Sequence, residues 1–183
     1  MKHVRRTGVA LNTGAIDIRL YQASDAEHLC AAVRESVAEV SPWMGWCHPQ
    51  YSLDEALAWV TAQAELAEQR LAYEFAIWSE GRYMGGCGIN QINAANRFAN
   101  LGYWVRASAT GRAVAPAAVR LVAEFAFQET DLIRLEIVCA SGNVHSQRVA
   151  EKAGAAREGV LRNRLLLPSG PSDAVMFSLL RPE

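Results

Sequence analysis

The chain contains no apolar run approaching the roughly 20 residues that a membrane-crossing helix needs. Its first residues, MKHVRRTGVALNTG, are basic but too poor in apolar residues for a secretory signal. They read as an N-terminal extension, 1–14, on a single domain spanning 1–183. Internal repeats, linkers and low-complexity segments are absent as well. Four cysteines are present, Cys30, Cys47, Cys87 and Cys139, with no Cys-x-x-Cys pair and no histidine at zinc spacing. They are therefore expected as reduced thiols, mostly buried, in a cytoplasmic protein that binds no metal. Neither charge sign dominates: the net charge of −1 argues against a protein built to coat nucleic acid or an anionic membrane.

One absence is local. No Asp or Glu occurs from Gly81 to Ala123, whereas Arg82, Arg97, Arg106, Arg112 and Arg120 all fall there. Inside this stretch lies TGRAVAPAAVRLV, residues 110–122. A helix N-terminus leaves four amide N–H groups unpaired and carries about half a positive charge. Here it opens on Gly111, Arg112 and two alanines, and Pro116 fits only the first turn, where its missing N–H costs nothing. The helix is expected from about Ala113, with Val114, Ala117, Ala118, Leu121, Val122 and Phe125 turned inward. A strand leading into small residues and a helix N-terminus suits a phosphate. The plain alternative is a strand-to-helix connection whose glycine serves only a turn.

With 183 residues, 51% hydrophobic and 20% charged, the chain has the composition of a soluble globular domain. Alternation predicts strands over 16–22, 72–79, 82–93, 98–107, 133–140, 157–167 and 173–180. Helices are expected from Ser24 to Val40 and from Ser52 to about Leu71, each opened by a serine with a glutamate three residues on, Glu27 and Glu55. A short helix over 143–154 ends at Gly154. The order β-α-α-β-β-β-α-β-α-β-β gives a mixed sheet with helices on both faces.

These segments resemble the GNAT N-acetyltransferases, and within them the RimJ/RimL group that acetylates protein N-terminal amines. The resemblance runs from IDIRLYQASDAEHL to DAVMFSLL. The family's pyrophosphate loop, Gln/Arg-x-x-Gly-x-Gly/Ala, maps onto Thr110, Gly111, Arg112, Ala113, Val114 and Ala115, with Thr110 and Ala113 departing from it. SGNVHSQRVAEKAGAAREGVLRN matches the group's Asn-x-x-Ser helix at Asn143 and Ser146, and SPWMGW its tryptophan-rich segment.

The resemblance implies an α/β GNAT fold: a central, mostly antiparallel sheet in which two parallel strands, around LGYWVRA and LEIVCAS, splay apart. Acetyl-coenzyme A is then the co-substrate, lying in the gap along Tyr103, Trp104 and Val105, with its pyrophosphate on the amides of 111–115. An acceptor amine attacks the thioester directly, and a backbone N–H within 103–106 is the oxyanion donor. Ser146 is the expected donor to the departing thiolate, and Asn143 binds the pantetheine arm; without the resemblance both are helix-capping residues. Glu136 is the candidate base, or else an ion-pair partner of Arg134 or Arg162. His48, His145 and a water-borne route are alternatives. Trp43, Met44, Trp46 and Tyr51 either wall the acceptor site or pack under the sheet; Trp59, Trp78 and Trp104 read as packing. The acceptor is a protein N-terminus or a small amine. A coenzyme A-binding module without turnover is the competing class. Dimers are common in similar proteins.

Overall fold

A computed structural model, described over residues 10–12 and 14–183, is built on one eight-stranded sheet. The strands are β1 (Ala10–Asn12), β2 (Asp17–Leu20), β3 (Tyr73–Ser79), β4 (Arg82–Asn93), β5 (Phe98–Val105), β6 (Arg134–Ala140), β7 (Ala156–Leu167) and β8 (Gly170–Leu180). Their spatial order is β1-β2-β3-β4-β5-β6-β8-β7. Every neighbouring pair is antiparallel except β5 with β6. That parallel pair is joined only from Phe98–Arg134 to Asn100–Glu136, although β5 runs on to Val105 and β6 to Ala140. Beyond Asn100 the two strands diverge, as expected from the resemblance. Strand β1 was not anticipated; it ties the end of the N-terminal extension to β2. The rest of that extension, 1–9 and 13, lies outside the described residues.

Helices cover both faces of the sheet. Helix α4 (Val114–Glu129) and α5 (Val144–Lys152) share one core with Phe75, Ile89, Leu101, Leu135 and Phe177. Phe125 of α4 meets Tyr73 and Phe75 edge-on, with ring centroids 5.2 and 5.0 Å away. The apolar stripe read from the sequence faces inward, with Val114, Ala118, Leu121, Val122 and Phe125 buried and Ala117 half-buried. On the opposite face α1 (Ala26–Glu35) and α3 (Leu53–Glu68) bury Leu29, Val33 and Val60 against Tyr21, Ala76 and Tyr83.

Helix α3 opens as predicted. Glu55 N donates to Ser52 Oγ (3.2 Å), and Ser52 N donates back to the Glu55 carboxylate (2.9 Å). The box predicted at Ser24 and Glu27 does not form. Asp25 takes over, accepting from Gln22 N at 2.8 Å while Arg19 clamps both its oxygens at 2.6 and 2.7 Å. The expected helix 24–40 is also broken at Ser36, leaving α1 and a single further turn, α2 (Val37–Val40). Ser36 Oγ donates to Ala32 O (2.7 Å) and accepts from Ala107 N (2.9 Å).

The break at Ser36 serves the loop after β5. Glu35 beside it accepts from Ser108 N (3.0 Å) and pairs with Arg106, which also donates to Tyr83 O (3.0 Å). Arg106 and Ser108 hold the Glu35 carboxyl down at about 2, below the usual carboxylate range. Its proton affinity is lower in the folded than in the unfolded chain, so this strap stabilises the fold above the ordinary carboxylate range and is lost as pH falls toward 2. Glu35→Gln is expected to be less stable than the parent at pH 7, with the difference closing between about pH 4.5 and 2 in thermal melts.

Candidate active site

The divergence of β5 and β6 opens a cavity of about 250 Å³. Leu101 to Tyr103 line one side and Ile137 to Ala140 the other, with Trp43, Asn143 and Ser146 at the rim. Asn143 caps α5 by accepting from Ser146 N at 3.0 Å, which sets Ser146 one turn into the helix and over the gap. Three polar side chains meet there. Ser146 Oγ donates to Tyr103 Oη (3.1 Å), Tyr103 Oη donates to Ser146 O (2.7 Å), and Cys139 Sγ lies 3.2 Å from Ser146 Oγ. Burial pushes the Tyr103 phenol and the Cys139 thiol above their ordinary values. The cluster is therefore a set of neutral hydroxyl and thiol donors beside Ser146.

The loop from β5 into α4 is shaped around left-handed backbone. Arg106 N donates to Met84 O (2.8 Å), residues Ala107–Ala109 make one 3-10 turn, and Thr110 Oγ1 folds back onto Ala107 O (2.8 Å). Gly111 has φ +76° with open space where a side chain would stand. Ala113, at the N-cap of α4, has φ +57° and supplies no side-chain cap. No acidic residue stands in the first turn. The amides opening α4 thus have no side-chain cap and no carboxylate in their own first turn. Ala113 also shows why a glycine is expected at its position: an L-residue in this conformation costs about 1 kcal/mol more than glycine.

A second cavity, of about 470 Å³, adjoins the first, and Met44, Gly102 and Tyr103 line both. Its walls are aromatic: Trp46 meets Trp104 at 5.4 Å and Tyr51 at 6.3 Å, and Tyr21 meets Trp59 at 4.8 Å. The carboxyl of Glu74 lines it, accepting from Asn90 Nδ2 at 2.9 Å, and Asn90 in turn accepts from Asn100 Nδ2 at 2.9 Å. Burial lifts the Glu74 carboxyl to about 7, against the lowering effect of Asn90. His48 and Glu55, 3.0 Å apart, also line this cavity.

Residues 16–156 match the family described as Acetyltransferase (GNAT) domain. The chain belongs to the GNAT acetyltransferase family. Among its relatives, Bacillus subtilis YdaF, named as a ribosomal N-acetyltransferase, is 30% identical over 92% of both chains. An Escherichia coli ribosomal-protein-serine acetyltransferase is 25% identical over 74% of this chain and 75% of that one. Among solved structures, RimL, a ribosomal L7/L12 α-N-protein acetyltransferase in complex with coenzyme A, superimposes with a TM-score of 0.84. It is 22% identical, over 92% of this chain and 95% of that one, and this likeness shows the fold. This GNAT enzyme is an acetyltransferase with N-acetyltransferase relatives.

The residues expected at the GNAT site fall into three groups. Tyr103, Asn143, Ser146 and Trp43 gather at the splayed cleft. Trp46 and Tyr51 line the second cavity with Trp59 and Trp104, so the aromatic residues of 43–51 are divided between two cavities. Trp104 turns to that second face, and the Val105 side chain packs on the main core, leaving only their backbone on the strand edge. Thr110 to Ala115 form the loop and helix start described above; Val114 and Ala115 are buried, and Gly111, Arg112 and Ala113 are exposed. Glu136 is not free to act as a base. Arg134 Nε donates to it at 2.9 Å, and it lines neither cavity, because Arg134 and Glu136 share one face of β6 beside Glu158. His145 is exposed on α5. Glu74, Asn90 and Tyr21 are site residues that no motif in the sequence marks. The available signal is a glutamate in the apolar strand AYEFAIWS opposite the glycine-rich strand MGGCG.

Proposed function

We propose that this GNAT enzyme transfers the acetyl group of acetyl-coenzyme A to the α-amine at a protein N-terminus. The observation that carries the reading is the β5–β6 divergence opening directly onto Ser146 and Tyr103. The names of YdaF and the Escherichia coli relative, both ribosomal acetyltransferases, support a protein acceptor and with it a cytoplasmic setting. Among the described residues no helix is long and apolar enough to cross a membrane.

In this reading the diphosphate rests on the amides of 111–115, where the left-handed Gly111 and Ala113 leave the helix N-terminus open. Pantetheine pairs with the edge of β5 beyond Asn100, along Tyr103, Trp104 and Val105, in the place a parallel strand would take. Asn143 holds the start of α5 against the arm. The amine lone pair forms a bond to the thioester carbon, and the carbonyl π pair moves onto oxygen, which a backbone N–H of β5 stabilises. Collapse breaks the C–S bond, and Ser146, backed by Tyr103, donates to the departing thiolate. Trp43, Trp46 and Tyr51 wall the acceptor approach.

Thiol release from acetyl-coenzyme A, followed with a panel of N-terminal peptides and of small amines, tests the reading. Turnover with peptides is expected. Turnover with small amines alone would reassign the acceptor, and cofactor binding with no turnover would make the protein a coenzyme A-binding module. Arg112→Ala is expected to raise the acetyl-coenzyme A KM about fivefold at unchanged kcat, and less at high salt, since an exposed cation contributes ordinary screened attraction to the diphosphate.

A further inference from the structure

With Glu136 tied to Arg134, the proton that an ammonium ion must lose before it can attack has to be taken elsewhere. Three glycines and one glutamate supply a place for it. In the sheet register Glu74 stands opposite Gly88, and Gly88 opposite Gly102, so the three form one row across β3, β4 and β5. A side chain at Gly88 would put its Cβ 2.2 Å from Glu74 Oε2, which means the carboxylate lies directly over Gly88. Adjacent strands are about 4.8 Å apart, so the carboxylate is roughly one strand spacing from the backbone of Gly102. Gly102 has no side chain to intervene, and it borders both the splayed cleft and the aromatic cavity. Gly86 continues this floor: its Cβ would lie 2.6 Å from Tyr21 Oη.

We propose that Glu74 takes the proton of the incoming ammonium group at the aromatic cavity and so acts as the base of the transfer. The inference rests on the acetyl-transfer reading above and identifies a residue within it. The proton passes from R–NH₃⁺ to the Glu74 carboxylate, leaving R–NH₂ to attack. The second nitrogen proton leaves as the C–S bond breaks and is the one gained by sulfur, relayed through the Ser146 hydroxyl, which gives one proton and takes one back. The sum is amide, free thiol and one proton, which Glu74 returns to solvent through the cavity.

The cavity suits a cation. Trp46, Trp104, Tyr51 and Trp59 present ring surfaces, and cation–π attraction adds to a half-buried carboxylate. The carboxyl, lifted to about 7 by burial, lies within about one unit of an α-amine, close enough to exchange a proton with it. Apart from His48, which lines the same cavity and which the test below separates, the groups near Glu74 leave the role to it. Tyr21 and Tyr51 are raised by burial and remain neutral phenols. Asp25, behind Tyr21 in sequence and buried, is neutralised by the Arg19 clamp. Glu55 is held ionised by Ser52 and His48 at the exposed α3 cap.

Glu74→Gln keeps the shape of the side chain and the acceptor for Asn90, so it tests charge rather than fold. The expected result is a fall in kcat/KM of about tenfold near pH 7 for an N-terminal peptide, because roughly a tenth of an α-amine is already neutral there. The deficit closes above pH 9, and acetyl-coenzyme A affinity stays the same. Binding of the unacetylated peptide together with coenzyme A, read from tryptophan fluorescence, needs no turnover. In the parent it strengthens as pH rises through about 7; in Glu74→Gln it does not. Repeating this in a His48→Gln background separates the imidazole lining the cavity from the carboxylate. Parallel pH profiles of parent and Glu74→Gln, in rate or in binding, would overturn the proposal. A parent that acetylates no amine would remove the transfer reading instead, and the binding comparison would still decide Glu74.

Discussion

Ser146→Ala lowers kcat about a hundredfold while leaving the acetyl-coenzyme A dissociation constant within about threefold, the size of effect expected on removing a positioned donor. The side chain lines the cleft between the diverging strands β5 and β6, whereas none of residues 111–115, where the diphosphate is expected to rest, lines it. In the proposed mechanism its contribution belongs to the departing sulfur, not to cofactor affinity. Tyr103 limits the loss, because its hydroxyl already lies 3.1 Å from Ser146 Oγ and remains a neutral donor. Tyr103→Phe on its own should cost less, and the double variant should cost less than the product of the two, since both act on one group. Steady-state kinetics with a direct binding titration of each variant checks this.

Phe125→Ala destabilises the fold by about 3–5 kcal/mol, the range for deleting a buried aromatic side chain. Phe125 is 2% exposed and lies edge-on between Tyr73 and Phe75, so the cavity left behind has rigid aromatic walls on two sides and cannot collapse easily. For a chain of this size the melting temperature should fall by roughly ten degrees. The contact also links α4 to β3, and through α4 the seat at 111–115 to the sheet. Acetyl-coenzyme A at about a hundred times its dissociation constant should return roughly 2.7 kcal/mol in both parent and variant, provided the seat is intact. A smaller rescue in the variant would mean that this packing also shapes the seat.

How far the sequence disclosed these features depends on how local their causes are. The α3 capping box, the Asn143 cap with Ser146 three residues on, and the glycine-led start of α4 each arise within a few residues, and each reads directly. The start of α1 does not. Asp25 displaces Ser24 because Arg19, on β2, reaches it, and helix propensity contains nothing of that pairing. The break at Ser36 likewise answers to Ala107, 71 residues later. Glu136 and Arg134 sit two residues apart on one strand face, so their ion pair, the alternative expected for Glu136, is legible from a period-two pattern. Glu74 is not. Its burial depends on Gly88 yielding space and on Asn90 turning toward it, and both follow from the β3–β4 register alone.

The most direct test of the account is the intact mass of a peptide carrying one free α-amine and one internal lysine, measured after incubation with the protein and acetyl-coenzyme A. The account predicts a gain of a single acetyl group, located on the α-amine by fragmentation and matched by an equal amount of released thiol. Acetylation on the lysine, or no gain across a full set of N-terminal residues, would contradict it.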